Sequence, residues 1–574
     1  MACGPQMVGR TDPPEPADRG GQPGIAQGGD CLPGRGPSID GPDMSDSDPG
    51  TVRRLWMSLG ILAVIAVVIW IVGVPAPRVV PIPGVVPIPG DGPSPGVEFM
   101  IAETLSLPTA RGVSLTTMPA EAAWLALEYG PSGGRLNRRT PPQLVTAGQS
   151  ARFRIDDLLP DREYGYRLLV AAADGRGPLR ARTERSFRTL RTPGATFSFA
   201  YATDSHLFET WAWATFVGTQ GYVNGLAHFR NLMSAMAHDD LDFLVIGGDF
   251  AQTLCSNCPG GTDDGLTYSA GTTTTYADAL ARYVRIFATD LYGRVAHSLP
   301  VLTVIGNHDG EAGLQADPAV EASSLAARLA TLPNPYHVYG GNPEGSYYAL
   351  QTGDALVIVL DVMRYTTIKP VTADDWTLGA EQLEWLADTL AASDRTWTFV
   401  FAEHLDGGED TPGVLGAGYY YGRGGLRATD DNLPSGTFKG EQSVVQALLE
   451  QHVASDRPAG GAAFFLSGHD HVAIGPLEKP RADGSGTRTY YVTGGRAGYR
   501  APSWALDPQF MVESDWDLDG TADYDTDVAG SKKPGFFRIS VRGSTSVTFE
   551  YVRSHLFDPE LDGSVLYSRT ITGD

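Results

Sequence analysis

Residues 300–309 read PVLTVIGNHD, an apolar run that ends on an amide, an imidazole and a carboxylate: Asn307, His308 and Asp309. Four more apolar runs end in the same manner: FSFAYATDSH at 197–206, DFLVIGGD at 242–249, TWTFVFAEH at 396–404 and GAAFFLSGHDH at 461–471. Together the five deliver Asp204, His206, Asp249, Asn307, His308, His404, His469 and His471 in chain order. A single histidine after an apolar strand is most often a packed core residue. Five strand ends carrying metal-ligand residues, with helical stretches between them, point to a metal site. His228, His238, His297, His337, His452 and His555 fall outside these runs and read as ordinary.

The stretches 225–238, 276–295, 381–390 and 441–453 place apolar residues at i, i+3/4 and i+7, which predicts helices. Strands alternating with helices predict an α/β body whose helices cover the sheet faces. In such sheets ligands collect beyond the carboxyl ends of the strands, where all five runs end. The tail reverts to β, with PGFFRISV and SVTFEYV forming a hairpin.

A pair of divalent ions roughly 3.5–4 Å apart needs a bridging carboxylate and several neutral donors. Asp249 suits the bridge, because the glycines before it allow close backbone approach. Asp204 and His206, two apart at a strand end, point to one side and fit a shared ion. His469 and His471 stand in the same relation, and Asn307 supplies a neutral amide oxygen. His308 is left free as a proton donor, with Asp309 beside it to orient the imidazole.

The series D-x-H, G-D, G-N-H-D, H and G-H-x-H, in that order, resembles the calcineurin-like metallophosphoesterase superfamily over roughly residues 196–545. The resemblance implies a four-layer fold, two mixed β-sheets flanked by helices. It implies one metal held by Asp204, His206, Asp249 and His471, and a second held by Asp249, Asn307, His404 and His469. It further implies phosphate-ester hydrolysis, with His308 protonating the leaving group while a metal-bridging hydroxide attacks phosphorus. A β-sandwich ahead of such a body is similar to the purple acid phosphatases. Two departures count against their ferric, tyrosinate-bound centre: His206 stands where they carry Gly, and Gln252 where they carry Tyr. Fe, Mn and Zn all stay open. Phosphodiesterases and nucleotidases share these motifs, and a surface binding or adhesion protein with a retired metal site is the reading from outside enzymes.

A net charge of −24 argues against a nucleic-acid surface, which needs Lys and Arg to displace counterions. A small phosphorylated substrate drawn in by metal ions is compatible with it. Residues 1–50, rich in Gly, Pro and Asp, read as a disordered tail, unless translation begins at Met44. Residues 55–74, LWMSLGILAVIAVVIWIVGV, carry no charge. At ~1.5 Å per residue they span ~30 Å of hydrocarbon. Arg53 and Arg54 precede the span and Arg78 follows, which predicts a single-pass signal-anchor with everything after it outside the cytoplasm. Cleavage as a signal peptide is the alternative. Residues 75–95, with VVPIPG twice, predict an extended Pro/Gly linker.

Residues 96–192 predict a β-sandwich, and ARFRIDDLLPDREYGYRLLV within it resembles the end of a fibronectin type III module. Its expected role is spacing, or shaping the rim of the site. The catalytic domain is expected over 196–574. In DWDLDGTADYDTD, Asp515, Asp517, Asp519 and Asp523 occupy positions 1, 3, 5 and 9 of a calcium loop, but Thr526 stands where a bidentate Glu belongs. The segment reads either as a calcium site or as a solvated acidic turn. The Gly-rich insertion 416–427 offers Tyr420 and Arg423, with Tyr419 and Tyr421, for stacking or phosphate contacts, or is plain surface loop. Trp211 and Trp213 are equally ambiguous. Cys255 and Cys258 form a lone C-x-x-C with no second pair to complete a zinc site, and read as a small disulfide or as free thiols.

Overall fold

The computed structural model describes residues 97–573 apart from 176, 208–217, 251–260, 264–265, 269–274, 312–316, 333–339, 343, 364–376, 405–440, 455–460, 470–472, 481–484, 498–514, 517–529, 532–533 and 555–561. The apolar span 55–74, the tail and linker around it, Trp211, Trp213, the Cys255/Cys258 pair, Tyr420, Arg423 and His471 lie outside these residues, as do Asp517, Asp519 and Asp523. Among the described residues, no helix is long and apolar enough to cross a membrane. Asp515 belongs to a two-residue strand paired with Gly530–Ser531.

The first described region is all β. Strands β1 (Phe99–Thr109), β2 (Gly112–Pro119) and β4 (Ala151–Ile155) form one sheet. Strands β3 (Ala123–Pro131) and β5 (Glu163–Ala172), with short flanking strands, form the other. Alternate residues of both sheets, among them Leu105, Leu115, Leu125, Phe153, Tyr166 and Leu168, meet in a shared core. The expected sandwich is present; the finer likeness to a fibronectin module rests on sequence alone.

This sandwich is more than a spacer. Every residue of β2 is buried, including Ser114 and Thr116, which pair across to Ser106 and Thr104 of β1. A two-sheet sandwich needs only one face of β2 covered. Its sheet neighbour β1 packs against the helical turn Gly293–Ala296 and the strand Val301–Thr303 of the following body. Tyr166 Oη donates to the His297 carbonyl at 2.6 Å, and Arg152 Nη2 donates to the Leu329 carbonyl at 2.8 Å. Arg191, between the two regions, binds the buried Asp242 carboxylate at 2.9 and 3.1 Å.

The body holds two mixed sheets face to face. In the first, β6 (Thr196–Ala202), β7 (Phe243–Ile246) and β8 (Val301–Thr303) run parallel, and β6 pairs antiparallel with β15 (Gly535–Arg542), followed by β16 (Ser546–Arg553) and β17 (Val565–Thr572). In the second, β9 (Tyr348–Thr352) pairs antiparallel with β10 (Ala355–Val359). Then β10, β11 (Trp397–Ala402), β12 (Ala462–Ser467) and β14 (Gly486–Gly494) run parallel, and β13 (Ala473–Pro480) lies antiparallel beyond β14.

Period-2 alternation sorts each strand. Phe197, Phe199 and Tyr201 of β6 face Phe399 and Phe401 of β11 and Phe464 of β12 between the sheets. The opposite parity of β6 and β7, Ala200, Ala202, Leu244 and Ile246, packs under α1 (Gly218–His238), α2 (Tyr276–Ile286) and α3 (Pro318–Thr331). Val400 and Phe465 pack under α4 (Gly379–Ala392) and α5 (Glu441–Ala454). The result is four layers.

One helix differs from expectation. The periodicity over 276–295 predicts a continuous helix, but α2 stops at Ile286 and Phe287 caps it. The apolar rhythm continues because Leu291, Tyr292 and Val295 return to the same core after an irregular turn.

Candidate metal centre

The parallel strands β6, β7, β8, β11 and β12 end on one side of the body, and the chain must turn sharply there. Asp204, His206, Asp249 and His469 adopt left-handed backbone conformations, with φ of 51°, 41°, 45° and 66°. Such a conformation costs an L-residue roughly 1–2 kcal/mol, and clustering of this kind marks functional sites. Cross-links between the turns hold it in place. The Asp204, His206 and Leu207 amides donate to the carbonyls of Gly248, Asp249 and Phe250 at 3.2, 2.9 and 3.0 Å. The His469 amide donates to both Asp204 oxygens at 3.1 and 3.0 Å, and the His308 amide to Asp249 Oδ1 at 2.8 Å. Each turn is thus pinned by a functional side chain from another.

The side chains converge out of water. Asp204, Asp249, Asn307 and His404 are buried, and His469 nearly so. His206 Nε2 stands 3.7 Å from Asp204 Oδ1 and 3.7 Å from Asp249 Oδ2. His308 Nε2 lies 3.9 Å from Asp249 Oδ2, with its ring edge-on to His206 at 5.0 Å. His469 Nδ1 is 3.0 Å from Asn307 Oδ1, and the His404 and His469 rings lie 3.9 Å apart. Two sets of candidate ligand atoms result, each within 4.8 Å of one another: His206, Asp249 and His308 in one, Asp249, Glu403 and His469 in the other. Asp249 belongs to both.

The site's electrostatics fit cations. Burial, then the neighbouring Asp249, pushes the Asp309 carboxyl well above the usual carboxylate range, and the same two causes act on Glu403. Burial, reinforced by His469, holds the His404 imidazole well below its ordinary value, in the neutral form that metal ligation requires. Buried carboxylates facing one another are strongly disfavoured without a counter-charge. Carboxylate, amide oxygen and imidazole donors together suit Fe, Mn or Zn.

Asp309, expected to orient His308, is engaged by backbone amides. Asp309 Oδ2 accepts the Gly306 and Asp249 amides at 2.7 and 3.1 Å, and Oδ1 accepts that of Phe250 at 3.1 Å. Its carboxylate serves the backbone, fastening the strained turn at Asp249 to the loop carrying Asn307 and His308. Asp309→Ala should therefore destabilise the metal-free protein by about 3–4 kcal/mol, since three buried N–H groups lose their acceptor. Urea unfolding measures this, and a change under about 1 kcal/mol would contradict the role.

Sequence reasoning overlooked Glu403. The signal lay in the alternation of WTFVFAE, which carries Glu403 in step with Phe399 and Phe401 toward the space between the sheets. Gly248 clears room for it. With φ of 106°, this residue is left-handed, and a Cβ there would overlap Glu403 Oε2.

No curated protein matches this chain. Among solved structures it is similar to PhoD at 16% identity, over 83% of this chain and 91% of that one, with a TM-score of 0.57. It is also similar to the purple acid phosphatase PPD1 from seeds of yellow lupin, Lupinus luteus, at 18% identity, over 82% of this chain and 74% of that one, with a TM-score of 0.52. At these identities what is shared is the fold. Residues 197–473 match the sequence model of the family described as calcineurin-like phosphoesterase. That segment contains every strand end described above, and residues 197–473 are the calcineurin-like phosphoesterase domain of this chain.

Proposed function

We propose that this chain hydrolyses phosphate esters at two divalent ions flanking Asp249, on the outer side of a membrane to which residues 55–74 anchor it. The observation that supports two ions is that Asp249 is common to both sets of converging donor atoms. Asp204 and His206 lie on one side of it, and His471 joins them by family resemblance. Asn307, His404 and His469 lie on the other. When bound, such a pair lowers the pKa of a coordinated water and clamps phosphoryl oxygens.

The chain's own residues supply the rest. Asp204 holds the His469 turn through two hydrogen bonds. Asp249 Oδ1 holds the His308 amide, which fixes the imidazole beside the centre. From there His308 donates a proton to the departing oxygen of the ester. The acidic chain favours a small phosphorylated substrate over a nucleic acid.

The test uses the full chain in detergent, stripped of metal, refilled with Mn, Fe or Zn, and assayed on a panel of mono- and diesters. Two ions per chain, with hydrolysis returning on refilling, support the reading, and the panel separates a monoesterase from a diesterase or nucleotidase. Two ions without turnover on any ester would favour a binding protein. No uptake of metal would sink the proposal. For the anchor, the chain should stay with membranes washed in alkaline carbonate; release into the wash would remove that part.

A further inference from the structure

Glu403 is the residue of this centre that no motif accounts for. It is fully buried, and no backbone N–H or cationic side chain among the described residues donates to its carboxylate, whose polar neighbour is the Asp249 carboxylate. Its position is built rather than accidental. The glycine immediately before Asp249 is where a Cβ would overlap its carboxylate, whereas a Cβ at Gly468, before His469, would first overlap Thr203 and Asp204 and come 3.3 Å from Glu403 Oε2. Glu403 thus threads between two ligand-bearing turns, with one oxygen among the converging atoms of Asp249 and His469. A carboxylate oxygen converging with another carboxylate and an imidazole nitrogen is the donor set of a divalent ion.

Resting on the function proposed above, we infer that Glu403 is itself a ligand of the ion held by Asn307, His404 and His469. It adds a charged, hard oxygen donor to a position otherwise supplied by imidazoles, an amide and the shared Asp249. Hard oxygen donors favour Mn or Fe over Zn, so Glu403 biases this position toward the harder ions.

Glu403→Gln keeps the shape and removes the charge. Chelator competition on the full chain should show affinity for one of the two ions reduced at least about tenfold, the other unchanged, and preference shifted toward Zn. The metal-free variant should melt no lower than the unmodified protein, because an amide of the same shape replaces the buried carboxyl, while the gain in Tm on adding Mn shrinks. Both ions binding as in the unmodified protein, with a lower metal-free Tm, would make Glu403 purely structural and overturn the inference. Crystals of the Mn-loaded unmodified chain give a check that needs no variant. A Glu403 oxygen about 2.0–2.3 Å from one Mn is expected, and a separation beyond roughly 3 Å from both overturns it. An unmodified chain that takes up no ions fails earlier, at the proposed function itself.

Discussion

Replacing Asp249 by alanine is expected to strip both ions from the protein and to lower hydrolysis by at least about 10³-fold, the scale of losing a preorganised electrostatic element. Among the described residues, Asp249 alone contributes to both groups of converging ligand atoms, so no neighbour can substitute for it at either position. It also accepts the His308 amide at 2.8 Å, so its loss frees the loop that carries the proton donor. Folding should survive. Alanine tolerates the φ of 45° at this turn less well than aspartate, by a fraction of about 1–2 kcal/mol, but a charge is removed from a crowded carboxylate cluster. Asp249→Asn, which keeps the acceptor for His308, should lose metal nearly as far. Metal analysis beside circular dichroism decides the matter: a folded variant that keeps two ions and full turnover would remove Asp249 from the bridge.

His308→Ala is expected to act differently, lowering kcat by ~10²–10⁴ while both ions stay bound. The distinction matters because His308 Nε2 lies close enough to His206 and Asp249 to be counted among candidate ligand atoms. A proton donor and a ligand make opposite predictions for metal content. They also differ in leaving-group dependence. An alkoxide must be protonated as it departs, whereas nitrophenolate leaves unaided, so loss of a general acid should be severe for alkyl phosphates and slight for p-nitrophenyl phosphate. Parallel loss of metal and activity, uniform across leaving groups, would make His308 a ligand.

The strands of the body are legible in the sequence because each is buried on both faces and bounded by turn residues, so FSFAYA, FLVI, VLT, WTFVFA and AAFFLS stand out as apolar runs. Candidate ligands are legible for a related reason. A residue fastened to the end of a parallel strand inherits the strand's direction, and five such ends share one side of the body. Distance in three dimensions decided the rest. The backbone role of Asp309 was not legible, because the amides of Asp249 and Phe250 that it accepts lie 60 and 59 residues away in the chain. Glu403 escaped notice because residue type favours an exposed glutamate, whereas its register in β11 drives it between the sheets. The second buried face of β2 belongs to the same class, since residue type does not make Ser114 and Thr116 interior residues. Local pattern determined the elements and the chemistry at their ends, because periodicity and turn residues act over a few positions. Which charges face one another, and which of them require a cation, was decided by tertiary structure, because burial and field depend on neighbours that the chain brings from far away.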